Sequence, residues 1–458
     1  MFTKVILQNF RSFDHIEFDL SGKGKTPKPL VIVYGENGAG KSALMSAFVL
    51  LREVLNTLDN RDAYEKLLNQ PSIFKDEDIQ EMLRQSLMSG LRDIHTIIED
   101  YRMIGSEDPI VAEFEFSIGG NIGTYRIELG NTEILHERLE YLQNRRRGVY
   151  FDCTPGTLSI NSSLTTSKSL LMDIKSAAER FWGKHSMLAI ITHELSDKSD
   201  AYGWDNIGEN FYDVLGNFLA LSSQVAIGTK KWNGLHAPIA VLDSPVEGKI
   251  LKSQEMQLDI GAQIFTRFFS AVNSDIIEAY YQKDLNDKYI DYKLHFKKLV
   301  AGEYRNIPFF KESTGNHQLI SAMCCILCAC MGGIVIIDEA DAGIHDLLFK
   351  KLLVEVQPLI QGQLIMTTHN TTLMETDFAR DAVYILSEDN TGHKIIQCVS
   401  NYKKRTYVNN NIRNRYLNKD YGGVPVVGQI DFEYLLAQLQ KMLPRDEVTA
   451  QNQSEKDQ

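Results

Sequence analysis

The chain has 458 residues, of which 43% are hydrophobic and 24% are charged, and its formal net charge is −12. This composition predicts a soluble globular protein, and it argues against a protein that coats itself in nucleic acid, which needs a positive surface. No apolar run reaches the roughly 18 residues that span a bilayer, and the N-terminus lacks a secretory signal pattern. We therefore expect a cytoplasmic protein without a membrane partner.

The first thirty-four residues predict strands. Two short runs, Lys4–Gln8 and His15–Leu20, are joined by the turn Asn9–Phe13, and we expect them to begin a nucleotide-binding sheet. The next run, Leu30–Tyr34, is apolar and β-branched, which is typical of a parallel strand buried on both faces.

A glycine-rich loop follows this strand and precedes a helical pattern over Ala43–Leu51. Strand, loop and helix together form the context that a phosphate-binding loop requires. The glycines let backbone amides face phosphate oxygens, Lys41 neutralises the β and γ phosphates, and the Ser42 hydroxyl is placed to bind Mg²⁺. The loop therefore predicts ATP and Mg²⁺ as cofactors, with nucleotide contacts from Gly35, Asn37, Gly38, Gly40, Lys41 and Ser42.

The middle of the chain divides into two patterns. Residues 59–107 carry charged and apolar side chains at helical spacing, most clearly in Asp76–Leu87. Val111–Ile118 and Tyr125–Leu129 then alternate with period two around Gly119-Gly120-Asn121, which predicts a hairpin. Runs at 135–142 and 150–160 extend this antiparallel lobe.

The long stretch from residue 166 to 300 predicts mainly helices, clearest at Met172–Trp182 and Phe211–Leu221, and it indicates no function. Parallel-strand patterns return at Ile334–Ile337, Gln363–Thr367 and Ala382–Leu386. Helical stretches at 317–331 and 345–359 separate them, and this alternation predicts a doubly wound α/β sheet.

Four cysteines cluster between Cys324 and Cys330 in the first of those helical stretches. Their neighbours are apolar, and no histidine or second cysteine pair follows at the spacing of a zinc site. We therefore expect a packed helix and no metal site.

Acidic and histidine side chains follow two of the C-terminal strands. Asp338 ends one strand and can hold Mg²⁺, while Glu339 is placed to deprotonate the water that attacks the γ phosphate. His369 follows the next strand at the same sheet edge, where it could sense the γ phosphate by a hydrogen bond. The alternative for His369 is an ordinary surface histidine.

Ser313 and Gly315 open a helix upstream of Asp338, and Ser313 alone would be a good N-cap. The order of phosphate loop, long insertion, Ser-x-Gly helix start, Asp-Glu pair, Asp341 loop and histidine is similar to that of ATP-binding-cassette (ABC) ATPases. In that class, this serine and glycine bind the γ phosphate held by a second subunit.

The motifs together resemble the overcoming-lysogeny and abortive-infection ATPases of bacteria, relatives of the SMC and RecF group. They are Asn9–Phe13, Gly35–Ser42, Glu312–Gly315, Asp338–Asp341 with His345, and Thr367–Asn370. The segment Asn411–Leu417, followed by Tyr421–Pro425, further resembles the end of the ATPase subunit of two-gene anti-phage systems.

The resemblance implies an α/β fold, an ABC-type P-loop ATPase head in which helices flank a mixed sheet, with an antiparallel β lobe and a long helical insertion. The implied domains are a head from 1–75 and 305–400, a helical segment and β lobe at 76–160, a helical insertion for assembly at 161–304, and a C-terminal segment at 401–458 with a disordered tail.

The resemblance also implies roles for single residues. Two copies would pair head to head, or assemble into a larger ring, with ATP between Lys41 of one and Ser313 and Gly315 of the other. Ser42 and Asp338 would hold Mg²⁺, Glu339 would be the general base and His369 the switch, and Arg11 would contact the nucleotide. Two departures favour slow turnover: Thr314 replaces the second signature glycine, and neither Gln80 nor Gln85 is a convincing Q-loop glutamine.

Overcoming-lysogeny nucleases continue into a TOPRIM domain, but no Asp-x-Asp follows His369 in this chain. We therefore expect a separate effector protein, a nuclease of TOPRIM type, which the ATPase controls after sensing a phage-encoded trigger protein. The alternative is a DNA-repair ATPase that acts on DNA through the lobe at 110–160 and its Arg145–Arg147 patch, since nucleic acid binding is compatible with local basic patches. A further alternative is an ATP-responsive scaffold without catalysis.

Overall fold

Strands form three sheets in the computed structural model, which describes residues 1–68, 92–196, 204–227, 230–402, 411–424 and 431–440. The helix predicted at Asp76–Leu87, both candidate Q-loop glutamines and the predicted disordered tail lie outside these residues. The strands are β1 (Phe2–Phe10), β2 (Phe13–Asp19), β3 (Leu30–Gly35), β4 (Ile110–Ile118), β5 (Asn121–Leu129), β6 (Ile134–Gln143), β7 (Arg146–Thr154), β8 (Thr157–Ile160), β9 (Ser222–Ile227), β10 (Lys230–Gly234), β11 (Glu247–Leu251), β12 (Ile276–Leu285), β13 (Tyr289–Val300), β14 (Glu303–Pro308), β15 (Ile334–Ile337), β16 (Gln363–Thr367), β17 (Val383–Glu388) and β18 (Lys394–Cys398).

Helices connect these strands, and none of the described ones is long and apolar enough to cross a membrane. They are α1 (Lys41–Leu55), α2 (Thr57–Leu68), α3 (Ile94–Tyr101), α4 (Lys168–Phe181), α5 (Met187–Ser196), α6 (Glu209–Leu219), α7 (Ala240–Asp243), α8 (Glu255–Val272), α9 (Thr314–Cys330), α10 (Asp346–Val356), α11 (Ala379–Ala382), α12 (Ile412–Leu417) and α13 (Phe432–Gln440).

The first sheet is antiparallel, with strand order β2-β1-β4-β5-β6-β7-β8. Gly119 and Gly120, both with positive φ, make the predicted two-residue hairpin turn between β4 and β5. The prediction that β1 and β2 begin the nucleotide-binding sheet was wrong. Buried side chains along β1 and β2 are interspersed with half-buried or exposed ones, which suits a sheet with one solvent face, whereas every residue of β3 is buried.

The second sheet carries the phosphate-binding loop, in the order β10-β9-β15-β16-β3-β17-β18. The five strands from β9 to β17 are parallel, and an antiparallel strand closes each edge. This mixed sheet, flanked by helices, confirms the predicted α/β class. All five parallel strands therefore end at the same edge.

The third sheet has β13 between β12 on one side and β11 and β14 on the other. It corrects the prediction of a mainly helical stretch at 166–300. Helices α4 and α6 lie where Met172–Trp182 and Phe211–Leu221 predicted them, but β9–β13 also fall in this stretch. β9 and β10 belong to the nucleotide sheet itself.

The first two sheets share one hydrophobic core. Phe2 of β1 packs on Phe48 of α1, with ring centres 5.1 Å apart, and on Phe218 of α6. The buried side-chain amide of Gln363 joins the sheets directly, because it accepts from the Phe2 amide at 2.7 Å and donates to the Phe2 carbonyl at 2.9 Å. The chain divides into a unit that ends at Gly423 and a second unit, 424–458, to which α13 belongs.

Candidate functional site

The phosphate-binding loop lies between the end of β3 and the start of α1, as the sequence predicts. Gly38 and Gly40 have φ angles of 82° and 106°, a region that other residues rarely adopt. A Cβ atom on Gly40 would lie 2.8 Å from Ser12 Oγ. The loop therefore needs glycine both for its backbone path and for its contact with the Asn9–Phe13 turn.

Lys41 begins α1 and is 7% exposed. Its ammonium group donates to the carbonyls of Gly35 at 2.9 Å and Glu36 at 3.0 Å, so the side chain folds back over the loop. Burial lowers the pKa of Lys41, and the negative charges of Asp338 and Glu339 oppose that shift. The lysine thus lies in the field of both predicted acidic residues, whose motif is almost three hundred residues away in sequence.

Arg11 lies in the turn that contacts this loop, with a positive φ of 52°. Its guanidinium carbon is 4.6 Å from the centre of the Tyr101 ring, and its amide donates to the Tyr101 carbonyl. Within the described part of the chain its buried Nε has no hydrogen-bond partner. Arg11 therefore keeps donor capacity beside the phosphate loop, and its nucleotide contact remains a prediction.

Asp338 and Glu339 follow β15 and are joined through Thr367 of β16. The Thr367 hydroxyl donates to Asp338 Oδ1 at 2.6 Å and accepts from the Glu339 amide at 2.8 Å. Glu339 has a positive φ of 52°, an unfavourable conformation for a residue with a side chain. The Thr367 hydrogen bond holds this turn, and the Glu339 side chain remains exposed.

His369 lies in the loop after β16 and is exposed. The neighbouring Asn370 is buried, accepts from the Thr372 amide at 3.0 Å and donates to the Asp346 carbonyl at 3.0 Å. Asn370 thereby ties the histidine loop to the start of α10. The structure places His369 at the sheet edge where Asp338 also lies, as predicted.

Gln224, which the sequence analysis did not select, ends up beside the acidic pair. It pairs with Ile337 across parallel strands β9 and β15, and its carbonyl accepts from the Asp338 amide at 2.8 Å. Its side chain donates to Ser321 Oγ of α9 at 2.6 Å. A cleft of about 430 Å³ brings Gln224 together with Asp338 and Glu339. The sequence gives little signal for Gln224, because its strand begins with polar residues and forms by pairing with β15.

Ser313 and Gly315 lie at the start of α9, against the loop that follows Glu339. Ser313 caps the helix, since its Oγ accepts from the Asn316 amide at 3.3 Å. A Cβ atom on Gly315 would lie 3.2 Å from the Gly343 carbonyl. The Ser-x-Gly element and the Asp341 loop are therefore in contact within one chain, and the contact with a second chain remains a prediction.

A buried ion pair anchors this helix start to the third sheet. Glu312, with a side chain only 4% exposed, accepts from Lys298 of β13 at 3.1 Å and from the Asn316 side chain at 2.8 Å. Asn316 also accepts from Asn273, which follows α8, at 2.9 Å. The third sheet with α8 thus fixes the position of Ser313 and Gly315.

Two other predictions concern residues outside this site. Three of the clustered cysteines are buried in α9, which confirms the packed helix, and the described residues contain no cluster of His, Cys, Asp or Glu that could hold a metal ion. Arg145–Arg147 lie at the β6–β7 turn, where Arg147 pairs with Glu140 at 3.0 Å. That ion pair weakens the case for a DNA-binding patch. Another basic run in the sequence, Lys403-Lys404-Arg405, lies outside the described residues.

The gathered groups suit one kind of chemistry. Lys41 and the amides at the start of α1 can hold phosphates, because a helix N-terminus attracts anions. The Ser42 hydroxyl and the Asp338 carboxylate are hard oxygen donors of the kind that Mg²⁺ prefers, so the donor set fits this ion. Glu339 carries an exposed carboxylate at the same edge.

Comparisons with known proteins agree with this geometry. A family model described as "AAA domain, putative AbiEii toxin, Type IV TA system" matches residues 30–375, and a second, "AAA domain", matches residues 4–51. No curated protein matches the chain.

Heads of SMC proteins are among the solved structures similar to this chain. The SMC head domain from Thermotoga maritima is 16% identical, with a TM-score of 0.37 and coverage of 87% of this chain and 98% of that chain. An SMC head bound to the C-winged helix domain of ScpA is 14% identical, with a TM-score of 0.41 and coverage of 86% and 97%. The first family model matches residues 30–375, which is more than half of the chain, and the chain therefore belongs to that AAA-domain family.

Proposed function

We propose that this chain binds Mg²⁺ and ATP at the β3–α1 loop and hydrolyses the bond between the β and γ phosphates. The observation that carries this proposal is the Asp338-Thr367-Glu339 arrangement at the sheet edge that also bears Lys41. An arrangement that served only to stabilise the fold would not need a carboxylate held at positive φ beside a phosphate loop.

Each residue has a defined task in this proposal. The loop amides and Lys41 hold the phosphates, while Ser42 and Asp338 hold Mg²⁺, which neutralises charge on the phosphate oxygens. Glu339 accepts a proton from the attacking water, and His369 donates to a γ-phosphate oxygen. The Thr367 hydroxyl holds Asp338, as the metal ligand, and Glu339, as the base, in fixed positions relative to each other.

We further propose that ATP joins two copies of the chain head to head. Ser313 and Thr314 are exposed at the N-terminus of α9, where the helix dipole favours an anionic ligand. Gly315 leaves no side chain to block that approach. The γ phosphate held by Lys41 of one copy would meet this helix start in the other, and such pairs could build a larger ring.

We propose a cytoplasmic role in anti-phage defence, in which the ATPase senses a phage-encoded trigger and controls a separate effector of nuclease type. The family description, which names a toxin of a toxin–antitoxin system, supports a link to toxic effectors. The net charge of −12 and the Arg147–Glu140 pair count against direct action on DNA.

Comparing the wild type with Glu339→Gln tests the catalytic proposal. The variant should bind ATP with unchanged affinity, hydrolyse it at least about 100-fold more slowly and accumulate as a pair. Glu355→Gln, at an exposed position of α10, is the matched control and should behave as the wild type. Equal hydrolysis by the wild type and Glu339→Gln would show that the base has been assigned wrongly.

A further inference from the structure

The segment Asn411–Gly423, which we name the strap, lies against the phosphate-binding loop without being part of it. It consists of α12 and the turn that follows it, and Asn411 caps the helix by accepting from the Asn414 amide. Tyr416 and Tyr421 are buried although the segment follows the last strand of the sheet. The strap is therefore packed against the head.

One end of the strap contacts the strand that carries the phosphate loop. The Tyr416 ring lies 5.9 Å from the ring of Tyr34, and its hydroxyl donates to the Gly423 carbonyl at 2.8 Å. A Cβ atom on Gly423 would lie 3.6 Å from Gly35 Cα and 3.1 Å from the Leu386 carbonyl. Backbone therefore packs on backbone at the first glycine of the loop.

The other end contacts the loop that carries His369. Arg413 Nε donates to Thr371 Oγ1 at 3.0 Å, and its Nη1 donates to Glu375 at 2.9 Å. Tyr34 connects the strand before the phosphate loop with the histidine loop, because its hydroxyl donates to the Asn370 carbonyl at 2.8 Å. The strap thus touches both loops that would surround the γ phosphate.

We infer that the strap is a positioning element that responds to nucleotide: it sets the phosphate loop and the histidine loop for ATP. This inference rests on the proposed ATP site. Because the strap packs closely against both loops, a shift of either loop must move or order the strap.

Hydrogen–deuterium exchange of the full chain, with and without Mg²⁺ and a non-hydrolysable ATP analogue, tests the response. Amides of residues 30–42 and of the strap should both exchange at least about threefold more slowly with the analogue, and Lys41→Ala should abolish both effects. Slower exchange in residues 30–42 with an unchanged strap would overturn the inference alone. No change in either segment would overturn the ATP site and the inference together.

Steady-state kinetics test the positioning role. Tyr416→Phe removes only one hydroxyl and Arg413→Ala removes two hydrogen bonds, and each should raise the KM for ATP by about three- to tenfold. Tyr434→Phe, at an exposed position of α13, is the control and should leave KM unchanged. A purely structural role would lower Tm while KM stays at the wild-type value, and that result would contradict the inference.

Discussion

Thr367→Val is the sharpest test of how the acidic pair is held. Thr367 is fully buried in β16, and valine keeps its shape and its preference for strands while it removes the hydroxyl. Two hydrogen bonds disappear together, one to Asp338 and one from the Glu339 amide.

The expected cost follows from the types of these two hydrogen bonds. A hydrogen bond to a charged carboxylate contributes about 1.5–3 kcal/mol, and one between neutral groups about 1 kcal/mol. Glu339 also loses the partner that holds its positive φ, so the turn can relax away from the catalytic position. If this loss falls on the transition state, kcat should drop by roughly 10²–10³-fold.

The assay is steady-state ATP hydrolysis with a Mg²⁺ titration and a parallel measurement of Tm. The KM for ATP should stay within about twofold, because Lys41 is held by the carbonyls of Gly35 and Glu36. The Mg²⁺ concentration needed for half-maximal rate should rise with the loss of Asp338 orientation. Thr367→Ser is the control, since serine keeps the hydroxyl and loses only a methyl group. Equal kcat values for the valine and serine variants would refute the reasoning.

Three further predictions concern the helix start, its anchor and the core. Gly315→Val should abolish ATP-dependent pairing, measured by light scattering, without weakening ATP binding, because the added side chain would stand at the helix start that the second copy must approach, and its Cβ atom would lie only 3.2 Å from the Gly343 carbonyl; pairing at wild-type level would contradict this. Lys298→Met leaves buried Glu312 without its cation and should lower the free energy of unfolding in urea by about 3 kcal/mol; an unchanged value would show that the ion pair is dispensable. Burial raises the pKa of Glu137 from 4.5 to about 7, so the folded state holds the proton more tightly, and the resulting stability is full below pH 4.5 and lost as pH rises through 7. Wild-type stability should therefore fall by about 3 kcal/mol between pH 4.5 and 8, and Glu137→Gln should remove this dependence; the same slope in the variant would refute it.

The sequence predicts the nucleotide strands well because their patterns are local. β3 and β15 are short apolar runs that lead into Gly35 and Asp338, and β16 has an apolar centre at 364–366. Such runs specify a buried parallel strand without reference to partners. The sheet to which a strand belongs is a long-range property. β1 pairs with β4, about a hundred residues away, and nothing near β1 specifies that partner.

The strands between residues 166 and 300 were not predicted, for a different reason. β13 alternates apolar and charged residues with period two, so the signal of a half-exposed strand was present over Tyr289–Phe296. β9 gave no comparable signal, since its Ser222-Ser223-Gln224 start is polar and becomes a parallel strand only by pairing with β15. Local pattern thus recovers β13 in principle, whereas β9 depends on tertiary structure.

The missed strand β9 also affects the predicted site. The predicted boundary placed residues 161–304 in an insertion separate from the head, yet β9 from that stretch is the strand next to β15 and supplies the carbonyl that accepts from the Asp338 amide. The acidic pair is therefore held from both sides, by Gln224 of the insertion and by Thr367 of the head. Because β13 of the third sheet also anchors Glu312, the stretch between the two halves of the ATP site contributes both to the predicted metal ligand and to the helix start that would meet a second copy. These contributions come from different sheets, so a partner that displaced the third sheet should act on pairing through Glu312, whereas one that displaced β9 should act on hydrolysis through Asp338. A partner of the third sheet that changed hydrolysis and left pairing intact would argue against this arrangement.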